Sequence, residues 1–213
     1  MSEIETYLKL PLGTSLAEGN WENHVYELGN DWVYKEIKSP ESLDPATENY
    51  TDRKLLQEFW NSDVHFQNMQ RDYEVFKSEL GSLIPKTLFC KHQSLLSELP
   101  SAIISIQEKL NGNLLKDIKS PVSGLCDLAK TVRELCENVF QAPADFHDGN
   151  LILMNSKEIY FFDTGTPSDW EYFLDANKFA QATNASSEEA TSLVNFMKPI
   201  HELHWKKLIV FSK

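Results

Sequence analysis

The sequence predicts an α+β chain of two lobes, a small antiparallel sheet followed by a reduced, mainly helical portion. Three observations predict it. First, His24–Leu28 and Trp32–Ile37 are strand-like runs joined across Gly29-Asn30-Asp31, and a continuous apolar strand follows from Ser101 to Ile106. Second, apolar residues recur at helical spacing from Val122 to Val139. Third, two Ser-x-x-Glu boxes, Ser168/Glu171 and Ser186/Glu189, open helical patterns near the end. A chain of 213 residues suffices for one substantial domain or two small lobes. Gly112 marks the boundary, giving an N-terminal lobe over 1–110 and a helical lobe over 111–213.

The elements follow in order. Leu12-Gly13-Thr14-Ser15 opens a polar loop that passes through Gly19-Asn20 and ends at His24. In the strand at Trp32–Ile37, period-two alternation places Val33, Lys35 and Ile37 on one apolar face. A lysine there needs an anionic partner, because an unpaired buried ammonium is costly. Residues 38–66 are acidic, carry Pro40 and Pro45, and read as an insertion with a helical patch near Asp52 to Trp60. The next helix spans about Gln67 to Leu80 and stops at Gly81, with Met69, Tyr73, Phe76 and Leu80 as its stripe. Glu74 lies beside that stripe and is the preferred partner for Lys35, with Glu58 the competing choice. A strand from Thr87 to Cys90 precedes the buried strand, which runs through Glu108 and Leu110 towards Gly112. A short helix near Leu114 to Ile118 is broken at Pro121. The two capped patterns predict helices over about Asp169–Ala182 and Ser187–Val210, the second kinked or split at Pro199. His201 and His204 flank Glu202 at a spacing zinc sites use, but no third ligand is evident, and they read as a satisfied surface pair.

Between the helical segments, Leu151–Met154 and Glu158–Phe162 form a hairpin across Asn155, Ser156 and Lys157. Pairing Leu151 with Phe162 brings Asn150 beside Asp163, and Asp145 in the preceding loop can reach them. Two carboxylates and an amide make a hard oxygen site suited to magnesium carrying a phosphate.

Asp145, then Asn150, then Asp163-Thr164-Gly165 resemble the catalytic core of the protein-kinase-like superfamily. The loop Pro143-Ala144-Asp145-Phe146-His147-Asp148-Gly149-Asn150 is nearest the small-molecule branch, the aminoglycoside-, choline- and sugar-kinase-like phosphotransferases. It matches that branch at the aspartate, second histidine, glycine and asparagine. It departs at Pro143, where the family has histidine, and at Thr164, where protein kinases have phenylalanine. In size the chain is similar to small bacterial kinase-like proteins. The resemblance implies a bilobal protein-kinase-like fold using ATP and magnesium. It implies that Asp145 orients the attacking hydroxyl, while Asn150 and Asp163 hold the metal. It further implies that Gly13, Val33, Lys35 and Glu74 serve the nucleotide, with the main chains of Glu108 and Leu110 meeting adenine.

Composition narrows the partners. Twenty basic against thirty-two acidic residues give a net charge of −12, which argues against a general nucleic-acid or anionic-membrane partner. The same acidity is compatible with a cationic substrate. No apolar run approaches a membrane span, and no basic start precedes a hydrophobic core at the N-terminus. Cys90, Cys126 and Cys136 are widely spaced and read as buried thiols in a reducing cytoplasm. The stretch after Gly165 is short and lacks an Ala-Pro-Glu-like anchor, which favours a small-molecule hydroxyl (amino sugar, sugar or amino alcohol) over a peptide. Transfer of phosphate, transfer of AMP, a protein kinase, and a nucleotide-binding pseudokinase with a regulatory partner all remain open.

Overall fold

The computed structural model describes residues 3–16, 23–47, 49–155 and 157–213, so Gly19 and Asn20 of the first loop lie outside the described residues. The chain is α+β and divides into two compact units, residues 1–66 with 85–110 and residues 67–84 with 111–213. One unit holds a five-stranded antiparallel sheet and the other is mainly helical, the α+β composition expected from the sequence.

The first unit is built on strands β1 (Leu12–Ser15), β2 (Asn23–Leu28), β3 (Trp32–Ile37), β4 (Thr87–His92) and β5 (Ala102–Glu108), in spatial order β1-β2-β3-β5-β4. Gly13 stands in β1, not in an open loop, because Leu12 pairs with Leu28 and Ser15 with Tyr26. One sheet face buries Leu28, Tyr34, Ala102, Ile104 and Ile106 under the short helix α1 (Glu3–Tyr7) and the residues after it. On β3 the more deeply buried alternation is thus Tyr34 and Glu36, not the face of Lys35. Glu36 is tolerated there because its carboxylate accepts the Tyr34 hydroxyl and the Ser94 hydroxyl, the latter at 2.7 Å. Burial, with the Glu36 carboxylate beside it, pushes the Tyr34 phenol far up. The segment expected as an insertion carries a true helix, α2 (Tyr50–Trp60), which buries Leu55, Leu56 and Phe59.

Helix α3 (Asp63–Leu80) contributes its residues from Gln67 onward to the second unit. The sequence groups these residues with the first lobe. In the structure Phe76, Leu80 and Ile84 enter a core with Leu128, Val132, Leu151 and Phe161. Strand β6 (Gly112–Leu114) pairs with β7 (Leu151–Met154), which pairs with β8 (Ile159–Phe161). Helix α4 (Leu125–Leu135) continues as a π turn over Cys136–Phe140. The wider turn rotates less per residue and so sets the helical phase back, and Val139, in step with the apolar stripe on paper, is exposed.

The single helix expected over 169–182 is two, α5 (Trp170–Phe173) and α6 (Ala176–Ala182). The Ser168/Glu171 box does not form because the Ser168 hydroxyl donates to Asp72 at 2.5 Å. Asp175 caps α6 instead, accepting from the Asn177 and Lys178 amides. The second box does form: Ser186 and Glu189 bond reciprocally at the start of α7 (Ser187–Phe211), which continues unbroken through Pro199. Among the described residues no helix is long and apolar enough to cross a membrane.

Candidate active site

The site in the second unit starts from the β7–β8 hairpin. Its pairs are Leu151 with Phe161 and Leu153 with Ile159, one residue away from the register expected from the sequence. The cause is the loop. Met154 accepts from Lys157 and donates to Glu158 (both 2.9 Å), and Lys157 takes a left-handed φ of 68°. This local turn shifts the pairing by one residue. Phe162 N–H therefore donates to the Asn150 carbonyl at 3.1 Å, and Asp163 follows one residue beyond that bond. Leu151, Ile159 and Phe161 are buried, which fixes the hairpin to the core.

The loop before β7 is held from several sides. Ala144 N–H donates to Cys136 Sγ at 3.2 Å, and the Pro143 carbonyl accepts from Trp170 Nε1 at 3.1 Å. Asp145 N–H reaches the Thr164 carbonyl at 3.4 Å. Gly165 lies directly against Asp145: with φ at +64°, an added Cβ would stand 3.1 Å from Asp145 Cβ. The two ends of the motif, far apart in sequence, are therefore packed on one another.

Around the Asp145 carboxylate the donors are specific. Asn150, nearly fully buried, gives both Nδ2 hydrogens to Asp145, one to its main-chain carbonyl and one to Oδ2, each at 2.9 Å. His147 Nδ1 accepts Gly149 N–H at 3.0 Å, which leaves the ring proton on Nε2, 3.6 Å from Asp145 Oδ2. His204 of α7 approaches the other carboxylate oxygen, Nδ1 to Oδ1 at 3.5 Å. Burial works to raise the Asp145 carboxyl, but His147, His204 and Asn150 together hold it below the ordinary range. The same contact with Asp145 raises His147 against its partial burial, whereas burial pushes His204 down.

A second polar cluster anchors the segment that follows Gly165. Asp72, fully buried on α3, accepts from Ser168 N–H at 2.8 Å and from its hydroxyl, and Asn68 Nδ2 donates to Asp169 Oδ1 at 2.9 Å. Burial raises the Asp72 carboxyl, with the Ser168 bonds and Arg71 acting against it. Glu74, the lysine partner expected from the sequence, is exposed on the same helix, and Asp72 is the buried carboxylate there. The signal was present as the row His65, Asn68, Asp72, Phe76, Leu80, which keeps helical spacing but is half polar.

The remaining expected residues lie in the first unit, except Glu74, which belongs to the second. Lys35 is half-buried at the middle of β3, paired with Val25 on one side and Ser105 on the other. Val33 is half-buried opposite Glu27 and Gln107. Gly13 is tight against Glu27, which accepts from Thr14 at 2.8 Å and pairs with Lys109 at 2.6 Å. Glu108 ends β5 with its N–H on the Lys86 carbonyl at 2.8 Å, and Leu110 follows half-buried. Glu58, the competing partner for Lys35, makes an ion pair with Lys54 at 3.8 Å. His204 is a further correction. It is not a surface residue, since its side chain keeps 18% of its exposure and faces Asp145.

No family model matches the chain, and no curated protein is similar to it in sequence. Among solved structures it is similar to the bifunctional kinase-methyltransferase WbdD, at 12% identity and a TM-score of 0.38, covering 82% of this chain and 42% of that one. It is also similar to the Rio2 kinase of Chaetomium thermophilum, solved as an ADP/Mg2+-phosphoaspartate complex. There the identity is 9%, the TM-score 0.41, and the coverage 98% of this chain and 73% of that one. The chain thus spans less than half the length of the WbdD structure.

Proposed function

We propose that the protein is an ATP- and magnesium-dependent phosphotransferase acting on a hydroxyl group of a small molecule. The observation that carries the reading is the double bond from Asn150 Nδ2 to Asp145, made while Gly165 brings the Asp163-Thr164-Gly165 turn against the same aspartate. With both amide hydrogens directed at Asp145, Asn150 Oδ1 is the atom left to face a cation. Asp163, one residue beyond the Phe162–Asn150 bond, supplies a carboxylate on the same end of the hairpin. These are hard oxygen donors of the kind magnesium takes while keeping water and phosphate oxygens for its other positions. Asn150 and Asp163 would hold the metal, which when bound neutralises charge on the transferred phosphoryl group.

Asp145 then serves the acceptor. Held below the ordinary carboxylate range, it is ionised at neutral pH and accepts a hydrogen bond from the attacking hydroxyl, orienting the oxygen and receiving its proton. In the first unit, Lys35 is assigned to the phosphates, Val33 and Gly13 to the nucleotide's surroundings, and the Glu108 and Leu110 main chains to adenine. Glu74 is retained only as the proposed lysine partner. The small-molecule acceptor is favoured by the Asp-x-His-x-Gly-Asn form of the loop, and the chain's acidity suits a cationic one.

The test separates binding from chemistry. Magnesium-ATP at a hundredfold excess over its Kd should stabilise the wild type by about 2.7 kcal/mol. Asp163→Ala should lose the magnesium-dependent part of that shift. Asp145→Asn should keep it while lowering turnover of any hydroxyl acceptor by roughly 10²–10⁴-fold. Mass spectrometry of a hydroxyl-substrate panel reads the product as phosphorylated or adenylylated. No nucleotide binding by the wild type removes the reading. Tight binding with no product from any acceptor replaces it with the pseudokinase.

A further inference from the structure

Each carboxylate oxygen of Asp145 has a polar side chain beside it, and the two sides come from different parts of the chain. Asn150, five residues on, addresses Oδ2, as does His147. Oδ1 is met by His204 from the middle of α7. The imidazole is itself fixed. It stands edge-on to Trp170, ring centres 5.7 Å apart at 75°, and Trp170 is tied to the Pro143 carbonyl two residues before Asp145. The ring also hydrogen-bonds to the Ala144 main chain. Phe211, further along α7, packs edge-on against Phe146 at 5.7 Å, so the helix grips the loop on both sides of the aspartate. The charged or titratable groups acting on His204 are Asp145, His147 and Lys207, with His201 one turn earlier on α7.

We infer that His204 is a positioning residue for the catalytic carboxylate: its ring, with Nδ1 3.5 Å from Asp145 Oδ1, limits the plane in which Oδ2 is presented between Asn150 and the acceptor. The inference rests on the phosphotransferase reading for its purpose, but not for its geometry. A carboxylate bonded on one oxygen can still rotate about its χ2 torsion, which is broad for aspartate. A fixed ring beside the second oxygen narrows that freedom. An Nδ1 turned towards a carboxylate oxygen also favours one tautomer, because a neutral imidazole carries its proton on one nitrogen only and a bare lone pair there would face the negative charge.

The tautomer is the readout that packing alone would not set. Nitrogen-15 NMR of the apo protein near pH 8 should show neutral His204 protonated on Nδ1, while His147 is protonated on Nε2. In Asp145→Ala the Nδ1–H preference of His204 should weaken, whereas His147→Gln should leave it in place. In kinetics with magnesium-ATP and phosphate release as the probe, His204→Leu should lower kcat by up to about 10²-fold with ATP affinity unchanged. His204→Asn, whose amide nitrogen can occupy the Nδ1 position, should recover most of that loss, and His204→Gln should not. His201→Leu, which removes another ring against Trp170 without touching Asp145, controls for packing. The inference is overturned by an Nε2–H tautomer at His204, by a tautomer indifferent to Asp145→Ala, or by equal kinetic effects of the Leu, Asn and Gln variants. The NMR arm uses no nucleotide. Absence of ATP binding would thus end the phosphotransferase reading while leaving the His204–Asp145 contact to be judged separately.

Discussion

Replacing Gly165 by alanine tests whether the Asp163-Thr164-Gly165 turn is seated on Asp145. Two costs are expected. Gly165 has a φ of +64°, a region where an L-residue loses roughly 1–2 kcal/mol. The new methyl would also stand 3.1 Å from Asp145 Cβ and 3.4 Å from Asp145 N, close enough to force a displacement of a few tenths of an ångström. Overpacking of this kind adds roughly 1–3 kcal/mol. Gly81 and Gly124 isolate the first cost, since they have φ of +56° and +82° with nothing within 4 Å of an added Cβ. All three glycines lie in the second unit. Gly165→Ala should therefore be at least about 1 kcal/mol worse than either control. In a chain of this size that difference is about 2–4 °C in Tm. Combining Gly165→Ala with Asp145→Gly removes the facing Cβ and should recover that excess as a coupling of about 1 kcal/mol. Equal Tm losses for all three glycines, with no coupling to Asp145, would mean that the turn and the aspartate are not in contact, and the proposed metal and catalytic groups would no longer share a site.

Asp72 gives a pH-dependence of definite sign. Its folded pKa is raised by burial above the ordinary value, so its contribution to stability is present below the unfolded pKa and is lost as pH rises through the folded one. Asp72→Asn keeps an acceptor for Ser168 N–H and removes that loss. In urea denaturation the wild type should therefore lose stability relative to the variant as pH is raised from about 4, and a difference independent of pH would contradict the assignment. The cysteines give a simpler check. Burial pushes the Cys136 thiol up to about 12 and the Cys90 thiol up to about 11, so neither forms appreciable thiolate at pH 8. Alkylation of the native protein should label Cys126 first, with Cys90 and Cys136 reacting only on unfolding. Early labelling of Cys136, whose sulfur accepts the Ala144 amide, would show that the loop carrying Asp145 opens readily.

What could be read from the sequence was what neighbours in the chain decide. The strands of the first unit, the core helix at Leu125–Leu135 and the Ser186–Glu189 box each depend on residues within a few positions. So does the approach of Asn150 to Asp145, since a turn five residues long leaves few other places for the amide. The failures share the opposite property. Ser168 was expected to cap a helix three residues away, but its partner is Asp72, ninety-six positions earlier. Lys35 was placed on the apolar face of β3, whereas Glu36 occupies the deeper one because Ser94, fifty-eight positions on, supplies a hydroxyl. In both places a polar group is buried against its local pattern, and a distant partner makes that burial tolerable. His204 belongs with them. Its spacing from His201 suggested at most a pair on a helix surface, and nothing near it in sequence identifies the carboxylate it meets. The hairpin register differs by one residue for a local reason, the left-handed turn at Lys157, yet Asp145 and Asn150 still gather. They did so because Asn150 is fixed to Phe162 and to Asp145 by three separate bonds, and Gly165 admits the aspartate from the other side. A site held by that many independent contacts withstands a one-residue shift of the hairpin, whereas a contact that depends on one distant residue does not.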